Sequence, residues 1–433
     1  MDIKHFERVA ESFAAFHQQF APVLGRKQWR ERSQEYLRGL LVQAEERCNA
    51  ENISEAIGCS ARVMQRFLTE AGWDDTAVME RLQSVASPRL SHPGAIWAVD
   101  ESGIPKQGKK SAGVARQYCG ALGKVGNCQI GVFLAYLSPR GRLLVDKRLY
   151  LPQDWCNDCQ RCEEAGIPAE RRVYRSKPML ALEMMEQAIR WRHLQAQWVT
   201  GDDAYGQCPA FRDGVRILGL KFVLDVPSTT PVWPLEPIME QPVSSGKGRP
   251  KEPQPLEGQR KEIRERAASL PEEAWQRITV AEGEQGPRIY CFACERLRET
   301  RDGEPGEEVW SLYRKALDGS EPRYYFCHAP VETSLEEMAQ VSAARWPIET
   351  EFEDAKSLIG MDEYEVRSWG GWHHHIACCL LANAFLLSLE QEWEKKGPRD
   401  HPAAGVPDRA RTATQGALLS RRPAEMVGIH PAA

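Results

Sequence analysis

The stretch A-I-W-A-V-D, residues Ala95–Asp100, combines an apolar, β-rich run with a carboxylate at its end. Such runs are typical of buried strands, and a side chain at the strand end meets solvent or ligand. The stretch Q-W-V-T-G-D, residues Gln197–Asp202, has the same form. If the two strands are neighbours, Asp100 and Asp202 meet at one edge of a sheet. Taken alone, each aspartate could equally cap a helix or form a turn.

Further strands and helices surround these two stretches. Apolar runs predict strands at Cys128–Leu137 and Arg142–Leu151, and helical spacing predicts a helix at Pro178–Arg192. A helix-like turn and a strand at Leu220–Pro227 follow Asp202. Three strands, a helix, a strand, a helix and a strand is the order of a ribonuclease-H-like α/β fold, a mixed sheet with flanking helices.

Composition divides the rest of the chain. The stretch 227–255 is too rich in Pro for a core, and short strands are predicted after it, whereas the tail is rich in Pro, Ala and Arg. The predicted segments are an all-α N-terminal region at 1–88, the first part of the sheet core at 89–226, a Pro-rich arm with a mainly β insertion at 227–330, the second part of the core at 331–392 and a loose tail at 393–433.

The N-terminal region contains a helix-turn-helix outline at 52–70. An amphipathic helix meets Gly58, and Ser60 can cap a second helix. The second helix has one polar side, which suits a helix presented to a DNA groove. That side carries Arg62, Gln65 and Arg66, and the apolar side carries Val63, Met64, Phe67 and Leu68. Helical hairpins of this kind also occur in proteins that do not bind DNA.

The net charge of -5 argues mildly against a partner bound by bulk electrostatics, but the distribution matters more. The stretch 102–145 has no acidic residue, and more basic residues follow at 171–177. The basic residues of the first stretch are Lys106, Lys109, Lys110, Arg116, Lys124, Arg140 and Arg142. A locally basic face on an acidic protein is predicted, with an ordinary solvated surface as the alternative.

Length and composition exclude several classes of protein. At 433 residues and 42% hydrophobic content, the chain is neither a short peptide nor a disordered tail. Eighteen consecutive apolar residues do not occur, and the first residues lack the pattern of a signal peptide, so we expect a cytoplasmic location without a membrane partner. The 13 cysteines are odd in number and scattered, so reduced thiols are expected.

A third candidate carboxylate lies in R-W-P-I-E-T-E-F-E-D-A-K, residues Arg345–Lys356. At about 100° per residue, Glu349 lies on one edge of the predicted buried stripe, with Arg345 and Lys356 close in line. Glu353 falls within about 40° of Glu349 and is its rival. The predicted stripe is Ile348, Phe352, Ala355 and Ile359, and Glu351 and Asp354 are predicted to be ordinary surface charges. The alternative for Arg345 and Glu349 is an i, i+4 ion pair.

Three carboxylates at one edge would form a site of hard oxygen ligands. Such ligands hold Mg²⁺ or Mn²⁺, and two such ions about 4 Å apart can serve phosphodiester chemistry.

Several sequence blocks together resemble bacterial insertion-sequence transposases of the DDE superfamily, in the branch with a Tyr-x2-Arg-x3-Glu-x6-Lys signature. The resemblance spans roughly residues 30–390. The blocks are W-A-V-D-E-S-G (Trp97–Gly103), G-V-A-R-Q-Y-C-G (Gly113–Gly120), N-C-Q-I-G-V-F-L-A-Y (Asn127–Tyr136), G-D-D-A-Y-G (Gly201–Gly206) and R-W-P-I-E (Arg345–Glu349).

The resemblance implies that Asp100, Asp202 and Glu349 are the catalytic, metal-binding triad, with two Mg²⁺ ions per site and Mn²⁺ able to substitute. It selects Asp202 over its neighbour because the family's Tyr follows the catalytic Asp by three. Arg345 and Lys356 are implied DNA contacts, and Lys109, Lys110 and the outer side of the second N-terminal helix are further candidates. The chain departs from the signature at Ser342, where the family has Tyr.

The implied function is cut-and-paste transposition by a nucleoid-associated bacterial protein. Water hydrolyses the phosphodiester at the element's end, and the freed 3'-OH attacks target DNA. The partners are double-stranded terminal repeats and target DNA, and a homodimer is expected because two ends are cut in concert. The alternatives are a domesticated, non-catalytic DNA-binding regulator and a ribonuclease-H-like nuclease that cuts without joining.

Three weaker motifs complete the sequence. The cysteines of Cys156–Cys162 could form a zinc site with Cys291 and Cys294, although the resemblance gives no zinc there. The run Trp372–His375 is predicted to contact phosphate or helix-end dipoles. Arg249, in the element Lys247–Pro250, is predicted to enter an A·T-rich minor groove, with a basic spacer as the alternative.

Overall fold

The structure is a computed structural model that describes residues 3–42, 47–241, 252–283 and 286–394. The helices in these ranges are α1 (Ile3–Gln18), α2 (Lys27–Val42), α3 (Ala50–Ile57), α4 (Ala61–Glu70), α5 (Asp75–Leu90), α6 (Gln153–Cys156), α7 (Cys159–Glu164), α8 (Lys177–Trp191), α9 (Asp203–Gly206), α10 (Pro209–Ile217), α11 (Ile263–Ala268), α12 (Leu335–Ala343), α13 (Trp346–Ile359) and α14 (Trp369–Glu394).

The strands in the same ranges are β1 (Ile96–Pro105), β2 (Ala115–Cys119), β3 (Lys124–Ser138), β4 (Gly141–Leu149), β5 (Trp198–Gly201), β6 (Lys221–Val226), β7 (Pro231–Pro234), β8 (Met239–Glu240), β9 (Gln254–Pro255), β10 (Lys261–Glu262), β11 (Gln276–Gly283), β12 (Gly286–Arg301), β13 (Glu304–Lys315) and β14 (Arg323–His328).

The chain divides into two compact units. Unit 1 takes the described residues within 1–95, 99–196 and 346–433, and unit 2 takes 96–98 and 197–345. The boundary falls inside β1 and again between Arg345 and Trp346, so Arg345 and Glu349 are assigned to different units.

Unit 1 is built around strand β3 and helix α14. One stretch of β3 pairs with β2 and the next stretch pairs with β4, both antiparallel. Helix α14 packs against β4 and against α1, α2, α4, α5 and α13. It is long and apolar enough to cross a membrane, but its most apolar window is 100% buried inside the protein. Its apolar side chains therefore pack as those of a core helix do.

The predicted helix-turn-helix outline is formed by α3 and α4 in unit 1. Asn49 caps α3, its side chain accepting hydrogen bonds from the N–H groups of Glu51 and Asn52. Gly58 follows α3 in the left-handed region at φ 72°, where glycine carries no steric penalty. On α4, Met64, Phe67 and Leu68 are buried as predicted. Their outer counterparts Arg62, Gln65 and Arg66 are exposed.

Unit 2 contains a sheet in which β5 and β6 form a parallel pair. Strand β14 pairs antiparallel with β6, β13 with β14, and β12 with β13. Strands β7 and β11 also pair with β12, and β10 with β7. The β insertion therefore extends the sheet edge at β6. Its long strand β13 was not predicted, because an acidic, Gly-containing start conceals the apolar alternation that follows.

A shared hydrophobic core holds the strands of unit 2 together. Trp198 of β5, Val223 of β6, Leu312 of β13 and Met338 of α12 are all buried in it. The predicted fold class, a mixed α/β ribonuclease-H-like fold with flanking helices, N-terminal helices and a mainly β insertion, is confirmed.

Candidate functional site

Asp100 lies in the middle of β1 and not at its end as predicted, because the strand continues to Pro105 and Ser102–Ile104 are buried again. The three residues before it, Trp97, Ala98 and Val99, are fully buried, whereas Asp100 is partly exposed. Its carboxylate accepts a hydrogen bond from the N–H of Glu101 at 2.7 Å. Glu101 forms an ion pair with Lys177, the first residue of α8. This pair ties α8 to the strand that carries Asp100.

Asp202 lies in unit 2, between β5 and α9. Its side chain accepts a hydrogen bond from the N–H of Ala204 at 3.0 Å, so it caps α9. The capping role that the sequence left open is therefore present, and the carboxylate is still partly exposed. The end of G-D-D-A-Y-G is dictated by packing: a Cβ on Gly206 would overlap the backbone carbonyl of Asp225.

Asp225 on β6 is a polar residue that the sequence analysis missed. Strands β5 and β6 are parallel with Gly201 opposite Leu224, so Asp202 and Asp225 follow this pair on neighbouring strands. The Arg345 Nε lies 3.8 Å from the Asp225 carboxylate. Burial raises the pKa of Asp225 to about 6, and the negative charge of Asp202 adds to the shift while Arg345 opposes it. The sequence signal that could have identified Asp225 is an acidic residue near the end of a second predicted strand, Leu220–Pro227.

Glu349 lies in the first turn of α13, on a helix whose predicted buried stripe is confirmed. Ile348, Phe352, Ala355 and Ile359 are all buried. Glu349 and Lys356 are partly exposed, and Glu353 is exposed. Ser342, at the place of the family's Tyr, is buried on α12 and donates its hydroxyl to the carbonyl of Ala339 at 2.7 Å.

The prediction for Glu351 and Asp354 was wrong. Glu351 is 0% exposed, accepting hydrogen bonds from Arg142 of β4 at 2.8 Å and Asn383 of α14 at 2.9 Å. Asp354 lies 3.5 Å from the same guanidinium. Glu351 therefore joins α13 to β4 and α14 instead of facing solvent. Helical angles could not predict the burial of Glu351, because they do not show that β4 and α14 pack against its side of α13.

The predicted basic face is only partly available for binding. Arg142 is engaged with Glu351, and the basic residues at 171–177 form ion pairs with glutamates of unit 1. Lys109 and Lys110 are exposed in the loop after β1. Arg66 on α4 pairs with Glu70 at 2.7 Å. Arg249 lies outside the described residues.

The three consecutive histidines are buried, so the phosphate contact, one of the two predicted roles, is wrong. His373, His374 and His375 are buried in α14 and hydrogen-bond to Trp369, Leu68 and Tyr36 respectively. Burial lowers the pKa of His373 and of His375 to about 3. They are therefore neutral at physiological pH and lack the positive charge that a phosphate contact uses.

The candidate metal ligands are distributed over both units. Asp100 and Glu349 belong to unit 1 and Asp202 belongs to unit 2. Their carboxylate oxygens are the donors that Mg²⁺ and Mn²⁺ prefer. Among the residues that the structure describes, no three His, Cys, Asp or Glu side chains form a group that could hold a metal ion. Among these described residues, the cysteines considered for zinc likewise form no such group.

Comparison with known proteins identifies a family. The family model described as DDE superfamily endonuclease matches residues 19–287, a range that includes Asp100 and Asp202 and ends before Glu349. No curated protein matches the chain. The solved structure described as a cryo-EM structure of piggyBac transposase synaptic complex with hairpin DNA aligns over 92% of this chain and 72% of that chain, with 9% identity and a TM-score of 0.40.

Proposed function

Because the chain belongs to the DDE superfamily of endonucleases, we propose that it is an insertion-sequence transposase that cuts element ends and joins them to target DNA. The observation that carries the proposal is the family match across Asp100 and Asp202, two carboxylates that each follow buried strand residues. The Arg345, Glu349 and Lys356 spacing supports the signature branch of this family.

Asp100, Asp202 and Glu349 are proposed to hold the metal ions. Bound Mg²⁺, or Mn²⁺ in its place, would supply activation of the attacking oxygen and stabilisation of the leaving oxygen, with two ions per site. In the proposed reaction, water attacks phosphorus at the element's end and the bond to the 3' oxygen breaks. The resulting 3'-OH then attacks a target phosphodiester in line and displaces its 3' oxygen. A homodimer is proposed to hold the two ends.

Strand transfer is the test of this proposal. The full chain is incubated with DNA from both ends of the element that encodes it, a supercoiled target plasmid and Mg²⁺ or Mn²⁺. We expect nicked or linear target molecules covalently joined to the element's ends. Cleaved ends without joined products would indicate a nuclease, and DNA binding without cleavage would indicate a regulator.

Arg345 and Lys356 are proposed to contact DNA phosphates. Arg62 is proposed to contact DNA together with Gln65 and Arg66, the other exposed residues on the outer side of α4. Each change to alanine is expected to weaken binding similarly on all sequences and to reduce the slope of log Kd against log salt concentration by about one, because one phosphate contact is lost. Fluorescence anisotropy over a salt series measures this slope. Arg277→Ala, at an exposed position of β11, is the control and leaves the slope unchanged. Wild-type slopes in all three variants would contradict the assignment.

A further inference from the structure

The hairpin formed by β2 and β3 exposes three large apolar side chains at its tip. Tyr118 is 63% exposed, Leu122 41% and Val125 52%. We call these three residues the hairpin tip. A short 3-10 turn, Gly120–Leu122, joins the strands, and Gly123 closes it in the left-handed region at φ 61°. Tyr118 and Val125 are cross-strand partners, and Leu122 lies in the turn beside them against Gly126. Exposed apolar side chains grouped in this way are a feature of interaction sites.

The register of the hairpin explains why Tyr118 and Val125 point outward. Tyr118 and Val125 are direct cross-strand partners, so they share one face of the hairpin, and Arg116 lies two residues from Tyr118 on the same face. The opposite face carries Cys119 and Cys128, both fully buried. The inner face therefore packs in the core of unit 1, and the outer face is exposed and could contact a binding partner.

The surroundings of the hairpin tip are basic. Arg116, Lys124, Lys109 and Lys110 are all exposed, and the stretch 102–145 contains no acidic residue. Asn127 of β3 binds the lysine loop to the hairpin, its side-chain NH₂ donating to the carbonyls of Lys106 at 2.6 Å and Gly108 at 2.8 Å. The loop and the hairpin thus present one cationic surface, which complements the phosphates of a nucleic acid.

The hairpin also lies beside the strand that carries Asp100. A Cβ on Gly103 of β1 would lie 3.0 Å from the Cys119 sulfur and 3.4 Å from the N of Gly120, where the turn begins. Gly103 follows Asp100 by three residues, which is about 10 Å along a strand. A duplex held at Asp100 therefore has the hairpin within reach.

We propose that the hairpin tip is a wedge for double-stranded DNA, inserting Tyr118, Leu122 and Val125 against base pairs near the cleavage point. The inference rests on the proposed function for the identity of the DNA. Apolar side chains that enter a groove can unstack neighbouring base pairs, and cationic residues beside them hold the two backbones. Arg116, Lys124, Lys109 and Lys110 hold the backbones here.

The test compares two variants of the full chain. The tip variant combines Tyr118→Ser, Leu122→Ser and Val125→Ser, and the charge variant combines Arg116→Ala and Lys124→Ala. Ile217→Ser, at a position of α10 that is 85% exposed, is the matched control for loss of a surface apolar side chain. All carry Glu349→Gln and are studied without metal, so binding is measured independently of cleavage. The probe is an element-end duplex containing 2-aminopurine, whose fluorescence rises when it is unstacked.

The tip variant is expected to bind DNA about tenfold more weakly, the equivalent of about 1.4 kcal/mol, and to lose the rise in 2-aminopurine fluorescence with an unchanged salt slope. The charge variant is expected to lower the salt slope by about two. A tip variant that binds and unstacks DNA as the Ile217→Ser control does overturns the proposal. A changed oligomeric state in light scattering, with wild-type DNA binding, overturns it in favour of a contact between two copies. If the wild-type chain fails to join element ends to target DNA while the tip variant still loses DNA affinity and the fluorescence rise, the proposed function is refuted and the wedge is retained.

Discussion

Glu349→Gln is expected to lower metal-dependent cleavage of element-end DNA at least about 10³-fold, the equivalent of about 4 kcal/mol of lost transition-state stabilisation. The amide keeps the size of the side chain but removes the negative charge that a metal ligand needs. Asp100→Asn and Asp202→Asn are expected to have the same effect, because all three carboxylates are proposed metal ligands. Cleavage rates at saturating DNA and Mg²⁺ measure the loss.

The matched control is Glu353→Gln, one turn further along α13 and exposed. It is expected to retain cleavage within about tenfold of wild type, since an exposed carboxylate contributes little. The assignment of Glu349 is falsified if Glu353→Gln abolishes cleavage while Glu349→Gln retains it. Thermal unfolding of each variant confirms that a lost activity is not a lost fold.

Glu351→Ala is expected to lower the free energy of unfolding by about 3–5 kcal/mol. The change removes the closer of two carboxylates from the largely buried Arg142, which keeps Asp354 at 3.5 Å, and it removes the acceptor for Asn383. Urea unfolding followed by circular dichroism measures the difference. Glu353→Ala, on the same helix but exposed, is expected to change the free energy by no more than about 0.5 kcal/mol.

A double variant, Arg142→Leu with Glu351→Leu, separates an ion-pair effect from a packing effect. Removing both charges is expected to recover much of the loss, because Arg142 is then no longer a largely buried charge held only by Asp354 at 3.5 Å. Equal stability losses for Glu351→Ala and Glu353→Ala would contradict the structural role. These measurements also distinguish the two kinds of acid on α13, since Glu351 changes stability and Glu349 changes cleavage.

Local sequence determined much of the fold. Apolar runs located β1, β5 and β6, helical spacing located α8 and α13, and Gly58 with Ser60 marked the junction of α3 and α4. These features depend on residues close in sequence, so periodicity and turn chemistry are sufficient to find them. The candidate carboxylates Asp100 and Asp202 followed from the same runs, because each stands directly after a buried stretch.

The tertiary structure decided which polar residues are exposed. Acidic residues and histidines are typical of a surface or a metal site. In this protein, however, β4 packs against Glu351, and α2 and α4 pack against the histidines of α14. The sequence placed Arg345 just before α13, but its ion pair with Asp225 depends on β6, more than a hundred residues earlier. Long-range partners of this kind decide burial and charge, and no local period encodes them.

The sequence by itself therefore determined the α/β order of elements, the buried stripe of α13 and the family of the chain. The tertiary structure alone decided that the β insertion extends the sheet from β6, that Glu351 is a buried ion-pair partner, and that the β2–β3 hairpin presents an apolar tip among basic side chains. The physical reason is that strand pairing and burial are settled by residues distant in sequence, whereas helix and strand periods are settled by near neighbours.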